Sequence, residues 1–197
     1  MKFLAIFTAL AAYAQTDVRV ANDQVRAYVA TDQPHHPSAL HEHKFNRVLI
    51  YLDDGAESFT SPSGKVEKIE FKAGDVRWSP AGGPHISENI TDHPYRILEI
   101  ELHNRPRSYT LSALDPLKVD AKNYSREFEN DQVRVLRVRF AAHEKGVRHE
   151  HQLDHVVVYL TDHAKGPAGT VKMEGPEIHT EENPLDHAVE RIAVDLK

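Results

Sequence analysis

The chain has 197 residues, of which 40% are hydrophobic, enough for an ordinary globular core and too many for a disordered protein. A formal charge of −6, with no dense run of Lys and Arg, argues against nucleic acid as a partner. There is no cysteine, which excludes disulfides, thiol nucleophiles and thiolate ligands; a metal site here must use His, Asp, Glu or water.

Residues 1–14 read as a signal peptide. Lys2 supplies the positive start, Phe3 to Ala12 the apolar stretch, and Ala12-Tyr13-Ala14 a small-x-small cleavage site before Gln15. The expectation is a secreted or periplasmic protein, cleaved near Ala14. The apolar run falls short of the roughly 20 residues that span a bilayer, and no later run approaches that length, so stable membrane insertion is not expected.

Past that point the pattern is mostly β. Segments at Val25–Ala30, Val48–Leu52, Lys65–Phe71, Ile97–Leu102, Val133–Phe140, His155–Leu160 and Glu190–Leu196 mix alternation with β-branched residues. Gly, Pro, Asn and Asp punctuate them at the intervals of sandwiches or barrels, and no sustained helical stripe appears. The reading is all-β, with one barrel over residues 15–105 and a second, shortened one over residues 106–197. Pro106 and Pro116 break the connector between them.

The two halves are copies. Residues 22–55 align with 130–163 at an offset of 108 without a gap, sharing 13 of 34 positions. The shared skeleton runs Asn-Asp-Gln-Val-Arg (Asn22 to Arg26, Asn130 to Arg134), His35/His143, a His-Glu-His triplet, Val48/Val156 and Tyr51-Leu52/Tyr159-Leu160. A second block aligns His85–Leu102 with His179–Leu196 at an offset of 94, so the second repeat lacks 14 residues between the blocks. They fall where the first repeat reads Glu57 to Ser79.

On a strand, His-x-His sends both imidazoles to one face. His41 and His43, and likewise His149 and His151, therefore face one barrel interior, with Glu42 and Glu150 turned the other way. The third ligand must come from another strand, and His85 and His179 hold equivalent places in the second repeated block. Neutral imidazoles suit Fe, Mn, Ni, Zn or Cu, so one or two divalent transition-metal ions are expected. Asn46/Asp154 and Arg47/His155 follow the triplets and offer further donors. His35/His143 and His93/His187 lie near turns and read as surface or supporting groups, Asn89 and Asn183 as backbone binders, and Trp78 as core.

In one place the chain closely resembles the cupin superfamily. Gly74, Pro80, Gly82, His85 and Asn89 match the second cupin motif at its spacing. The first motif is met by His41, His43 and Gly55, but its glutamate falls on Val48, or on Arg47 under a shorter spacing. In the second repeat those positions are Val156 and His155, and the second motif shrinks to Gly175, His179 and Asn183. The resemblance implies a bicupin of two tandem jelly-roll barrels. Without the glutamate, each site resembles the three-histidine centres of some cupin dioxygenases, and equally those of cupins that hold metal without catalysis.

Three uses follow: a metal-dependent dioxygenase-type oxidoreductase on a small organic substrate, a non-catalytic metal-dependent module for a small ligand, or a structural barrel. A homodimer is compatible with each. Of the two sites, His41, His43 and His85 are the stronger expectation for a working centre, because the wall around them is complete.

Overall fold

Alternation along the long strands sorts their side chains between two separate interiors. The computed structural model describes residues 15–106 and 108–197; the segment read as a signal peptide lies outside them. The first repeat contributes β1 (Gln15–Ala21), β2 (Val25–Asp32), β3 (His41–His43), β4 (Arg47–Tyr51), β5 (Gly55–Thr60), β6 (Val66–Phe71), β7 (Val76–Ser79), β8 (Gly82–Asn89) and β9 (Tyr95–Leu102). After a short helix α1 (Pro116–Val119), the second has β10 (Tyr124–Glu129), β11 (Val133–Phe140), β12 (His149–His151), β13 (His155–Tyr159), β14 (Val171–Glu174), β15 (Glu177–His179) and β16 (Val189–Leu196).

The first repeat folds into a five-stranded sheet, β1-β2-β9-β4-β7, and a four-stranded sheet, β3-β8-β5-β6. The second folds into β10-β11-β16-β13-β14 and a two-stranded sheet, β12-β15. These are tandem jelly rolls, the second smaller. Residues 57–79, where the sequence is longer in the first repeat, include most of the β5–β6 hairpin, and among the described residues the second repeat has no equivalent of it. Gly55 starts this hairpin under tight packing: a Cβ there would meet the Phe71 ring at 2.6 Å.

The large sheets pack on each other. Val25, Ala27, Val48, Ile50, Leu98 and Ile100 of one repeat form a single core with Val133, Val135, Val156, Val158, Ile192 and Val194 of the other. Residues between them in sequence, such as Tyr28, Arg47 and Glu99, or Arg134, His155 and Arg191, turn into their own barrel. The face turned to the seam is apolar, while the face turned into each barrel carries several of the polar residues, which explains the alternation along β9, β11 and β16. At about 1.5–3 kcal/mol for each fully buried Val, Leu or Ile, this seam outweighs any single polar contact and joins the repeats into one unit.

The rim of the seam keeps the pseudo-twofold. Gln24 Nε2 donates to Asp154 Oδ2 at 2.8 Å. Asn46 Nδ2 donates to Gln132 Oε1 at 3.0 Å. Gln24 and Gln132 are equivalent, as are Asn46 and Asp154, so the two bonds are twofold partners with donor and acceptor exchanged. Asn46 and Asp154 are thus spent on the seam and not on a metal site. Trp78 packs on the same seam, edge-on to Phe128 with ring centroids 6.3 Å apart. Among the described residues no helix is long and apolar enough to cross a membrane.

Candidate metal centres

The paired strands β3–β8 and β12–β15 bring the histidines together. His41 stands opposite His85 across the first ladder, and His149 opposite His179 across the second. Directly opposed residues on antiparallel strands are close enough for their side chains to meet. Ring centroids in the first cluster are 4.9 Å (His41–His43), 4.6 Å (His41–His85) and 5.3 Å (His43–His85) apart. In the second the equivalent values are again 4.9, 4.6 and 5.3 Å. The duplication is preserved in side-chain geometry, including the repeat that lacks the hairpin.

Each trio can hold an ion. His149 Nε2 lies 3.1 Å from His151 Nε2 and 2.9 Å from His179 Nε2. Two nitrogens bound at right angles to one ion at about 2.1 Å would stand about 3.0 Å apart. The opposite ring nitrogens fix the tautomers of four of the six rings, while His151 Nδ1 is buried without a partner. His149 Nδ1 donates to the Val147 carbonyl at 2.8 Å, His41 Nδ1 to Ala39 at 2.9 Å and His85 Nδ1 to Gly83 at 3.2 Å. His179 Nδ1 pairs with Glu177 at 2.9 Å. A neutral imidazole that donates from Nδ1 has only a lone pair at Nε2, and such lone pairs converge here as they do around a cation.

Burial keeps four of the six rings neutral. Burial, reinforced by Arg47, lowers His43 to about 3, and burial lowers His85 as well. Burial, with His155 and His149, lowers His151 to about 2, and burial lowers His179. These rings offer lone pairs at neutral pH without first losing a proton.

The surroundings of the two trios differ. The first faces a cavity of about 310 Å³, lined also by Tyr28, Asp32, Arg47, Leu49, Glu57, Phe59, Ile97 and Glu99. Of the two positions open to the missing glutamate, Val48 lies in the seam core and Arg47 lines this cavity. Arg47 pairs with Glu99 and donates to Ser79 Oγ at 2.9 Å, while Tyr28 donates to Glu99 at 2.9 Å. Burial, then Glu99, raises Asp32 to about 6; burial, then Asp32 and Glu99, raises Glu57 to about 8.

The second trio is more enclosed, with His149 and His151 buried and His179 at a smaller cavity of about 130 Å³. Tyr124 Oη lies 3.0 Å from His149 Nε2, hydrogen-bonds Glu181 and accepts from Arg191 Nη2 at 3.3 Å. Arg191 also pairs with Glu181. Burial would raise Glu181, but Arg191 brings it down to about 2; burial and Glu181 push Tyr124 well above the usual phenol range. Thr16 is the equivalent of Tyr124, since it pairs with Ala30 as Tyr124 pairs with Val138. By the offset of 94 Ser87 answers to Glu181 and Ile97 to Arg191, and all three smaller residues line the first cavity. One set of substitutions narrows the space beside the second trio to about 130 Å³ and leaves the first open.

His155 touches the second trio through the face of His151, with ring centroids 4.6 Å apart and planes 20° from parallel. His151, His155 and Asp195 also lie close enough to be considered as a set. Imidazole lone pairs lie in the ring plane, so two nearly parallel stacked rings aim poorly at a shared ion. His155 Nδ1 is held by the Leu153 carbonyl at 3.0 Å. Asp195 belongs to a buried ion-pair group, accepting from Arg134 at 2.8 Å, and Arg134 in turn pairs with Asp115 at the start of α1.

The remaining candidates have structural or peripheral places. Asn89 donates to the carbonyls of Asp32 and His93, at 3.0 and 2.8 Å. Asn183 donates to those of Ala141 and His187, both at 2.8 Å. His35 and His143 sit outside the barrels on left-handed backbone, φ 54° and 56°, paired with Asp92 and Asp186. His93 and His187 are exposed as well.

No protein-family model matches the sequence, and no curated protein matches it. Solved structures do match in fold. AerE from Microcystis aeruginosa aligns over 95% of this chain and 94% of its own, at 11% identity and TM-score 0.69. A tryptophan variant of oxalate decarboxylase from Bacillus subtilis aligns over 94% and 76%, at 11% identity and TM-score 0.63. A cupin 2 conserved barrel domain protein from Leptotrichia buccalis aligns over 98% and 93%, at 10% identity and TM-score 0.57. At these identities the likeness concerns architecture alone. That architecture is a bicupin-like pair of jelly rolls, each carrying a three-histidine cluster suited to a metal ion.

Proposed function

We propose that the first barrel is a metal-dependent site for a small organic anion, with the chemistry of a dioxygenase-type oxidoreductase, in an exported protein. The observation that carries the reading is the cavity of about 310 Å³ onto which His41, His43 and His85 face. Small-molecule sites start at about 300 Å³ and combine apolar walls with a few fixed polar groups. Phe59, Leu49 and Ile97 supply the apolar wall, and Arg47 the fixed charge.

His41, His43 and His85 would hold the ion, leaving coordination positions for substrate and oxygen. A redox-active divalent ion bound there supplies Lewis acidity and electron exchange with oxygen. Arg47, anchored by Glu99 and Ser79, directs a guanidinium at the cavity and favours a carboxylate or phenolate. Glu57, raised to about 8, holds its proton at neutral pH, which limits the negative charge opposing such a ligand. The test is anaerobic reconstitution with Fe(II), then oxygen uptake across diketones, thiols and phenolic acids. Fully metallated protein that consumes no oxygen with any of them would sink the catalytic reading.

A second reading, a non-catalytic metal-dependent binding module, draws on one observation: neither Val48 nor Arg47, the two positions open to the cupin glutamate, supplies a carboxylate. Tight binding of an anion to metallated protein, without oxygen uptake, would establish it over the first.

A further inference from the structure

We propose that Tyr124 is the fourth protein donor to a metal ion in the second barrel, making that site a closed His149, His151, His179 and Tyr124 centre. The proposal rests on the metal reading of the trio and adds a ligand of a different chemical class. Tyr124 Oη is 3.0 Å from His149 Nε2, within the 2.9–3.1 Å range that separates His149 Nε2 from the other two imidazole nitrogens. Three donor atoms therefore stand around His149 Nε2 at the spacing of ligands on one ion.

Proton counting favours an ion over a plain hydrogen bond. His149 uses its Nδ1 proton on Val147, so Nε2 has only a lone pair to offer. His179 uses its Nδ1 proton on Glu177 in the same way. Tyr124 has one proton, and its tightest contact is the carboxylate of Glu181, which only accepts. The His149 lone pair is thus faced by the phenol oxygen and the His179 lone pair with no proton from either; only His151, whose Nδ1 has no partner, can present a proton to it, and the Tyr124–His149 contact still has none. A cation among them turns this repulsion into coordination.

One neighbour of Tyr124 suits a phenolate ligand. Arg191 Nη2 donates to Oη at 3.3 Å and would balance its charge, while the phenol proton would be displaced to solvent by the incoming cation rather than passed to Glu181. Tyr124 is 2% exposed, so a bound ion would meet protein rather than solvent on that side. Four protein ligands with no open position is the mark of a structural centre, in contrast to the three-histidine site of the first barrel.

The test uses the His41→Ala protein, in which only the second trio is intact, loaded with Fe(III) or Cu(II). Phenolate bound to either ion gives a strong visible charge-transfer band and phenolate modes in resonance Raman. The expected result is one ion per chain with that band, and its loss in Tyr124→Phe with affinity down roughly tenfold or more. Raman of the unmodified tyrosine site stands without the variant, should Tyr124→Phe fail to fold. One ion per chain without phenolate modes overturns the tyrosine ligand and leaves the histidine site standing. No ion in the His41→Ala protein overturns both, and the metal count separates the two failures.

Discussion

His151 lies flat against His155, ring centroids 4.6 Å apart and planes 20° from parallel, so one ring of the metal cluster rests on a histidine that is not part of it. If His155 supports only through stacking, His155→Phe should keep the ion of the second barrel, whereas His149→Ala should remove it. Elemental analysis of both proteins decides the matter. Loss of one ion per chain in His155→Phe would make His155 a ligand after all.

Glu57 predicts a pH effect on stability of the chelated protein. Its folded pKa is about 8, raised by burial and then Asp32 and Glu99 above an ordinary glutamate value. The folded state therefore binds a proton more tightly than the unfolded chain. That stabilisation is fully present below the unfolded value and fades as pH climbs through about 8, a change of up to about 5 kcal/mol. Glu57→Gln should flatten this fall. Denaturant titrations across the window, with chelator present, provide the measurement; equal slopes for both proteins contradict the assignment.

Arg47 predicts ligand charge preference. A charge-assisted hydrogen bond contributes about 1.5–3 kcal/mol, so Arg47→Gln should weaken binding of a phenolic acid roughly tenfold or more. The neutral amide of the same acid should bind the two proteins alike. Calorimetry on metallated protein reads both.

Ile100 predicts shared cooperativity. It is fully buried in the core formed by both large sheets, and Ile100→Ala should cost about 2–5 kcal/mol. Because the core belongs to both repeats, the variant should melt in one transition at a lower temperature. Two resolved transitions would show that the barrels unfold separately.

Much of this was legible in the sequence, for a physical reason. A duplicated His-x-His carries its own geometry, and His85 and His179 were found because both copies keep the same residue at the same register. The faces of Arg47 and Val48 were not legible, since the Lys44–Asn46 turn between β3 and β4 resets the alternation. The Tyr124, Glu181 and Arg191 group escaped for the opposite reason. Its members differ from Thr16, Ser87 and Ile97, and a search for identities between repeats discards the positions at which they diverge. A comparison that kept unequal pairs, large and polar against small or apolar, would have pointed to them.

The two hydrogen bonds at the rim of the seam, Gln24 to Asp154 and Asn46 to Gln132, have an implication for how this molecule can change. In a homodimer, every substitution is made twice, so the two halves must drift in step. Tethering the halves in one chain frees each from the other while holding its partner at high effective concentration. Asparagine and aspartate now occupy equivalent places, and one barrel can close around its cluster while its twin keeps an open chamber. The seam is what allows a symmetric framework to carry two unlike sites.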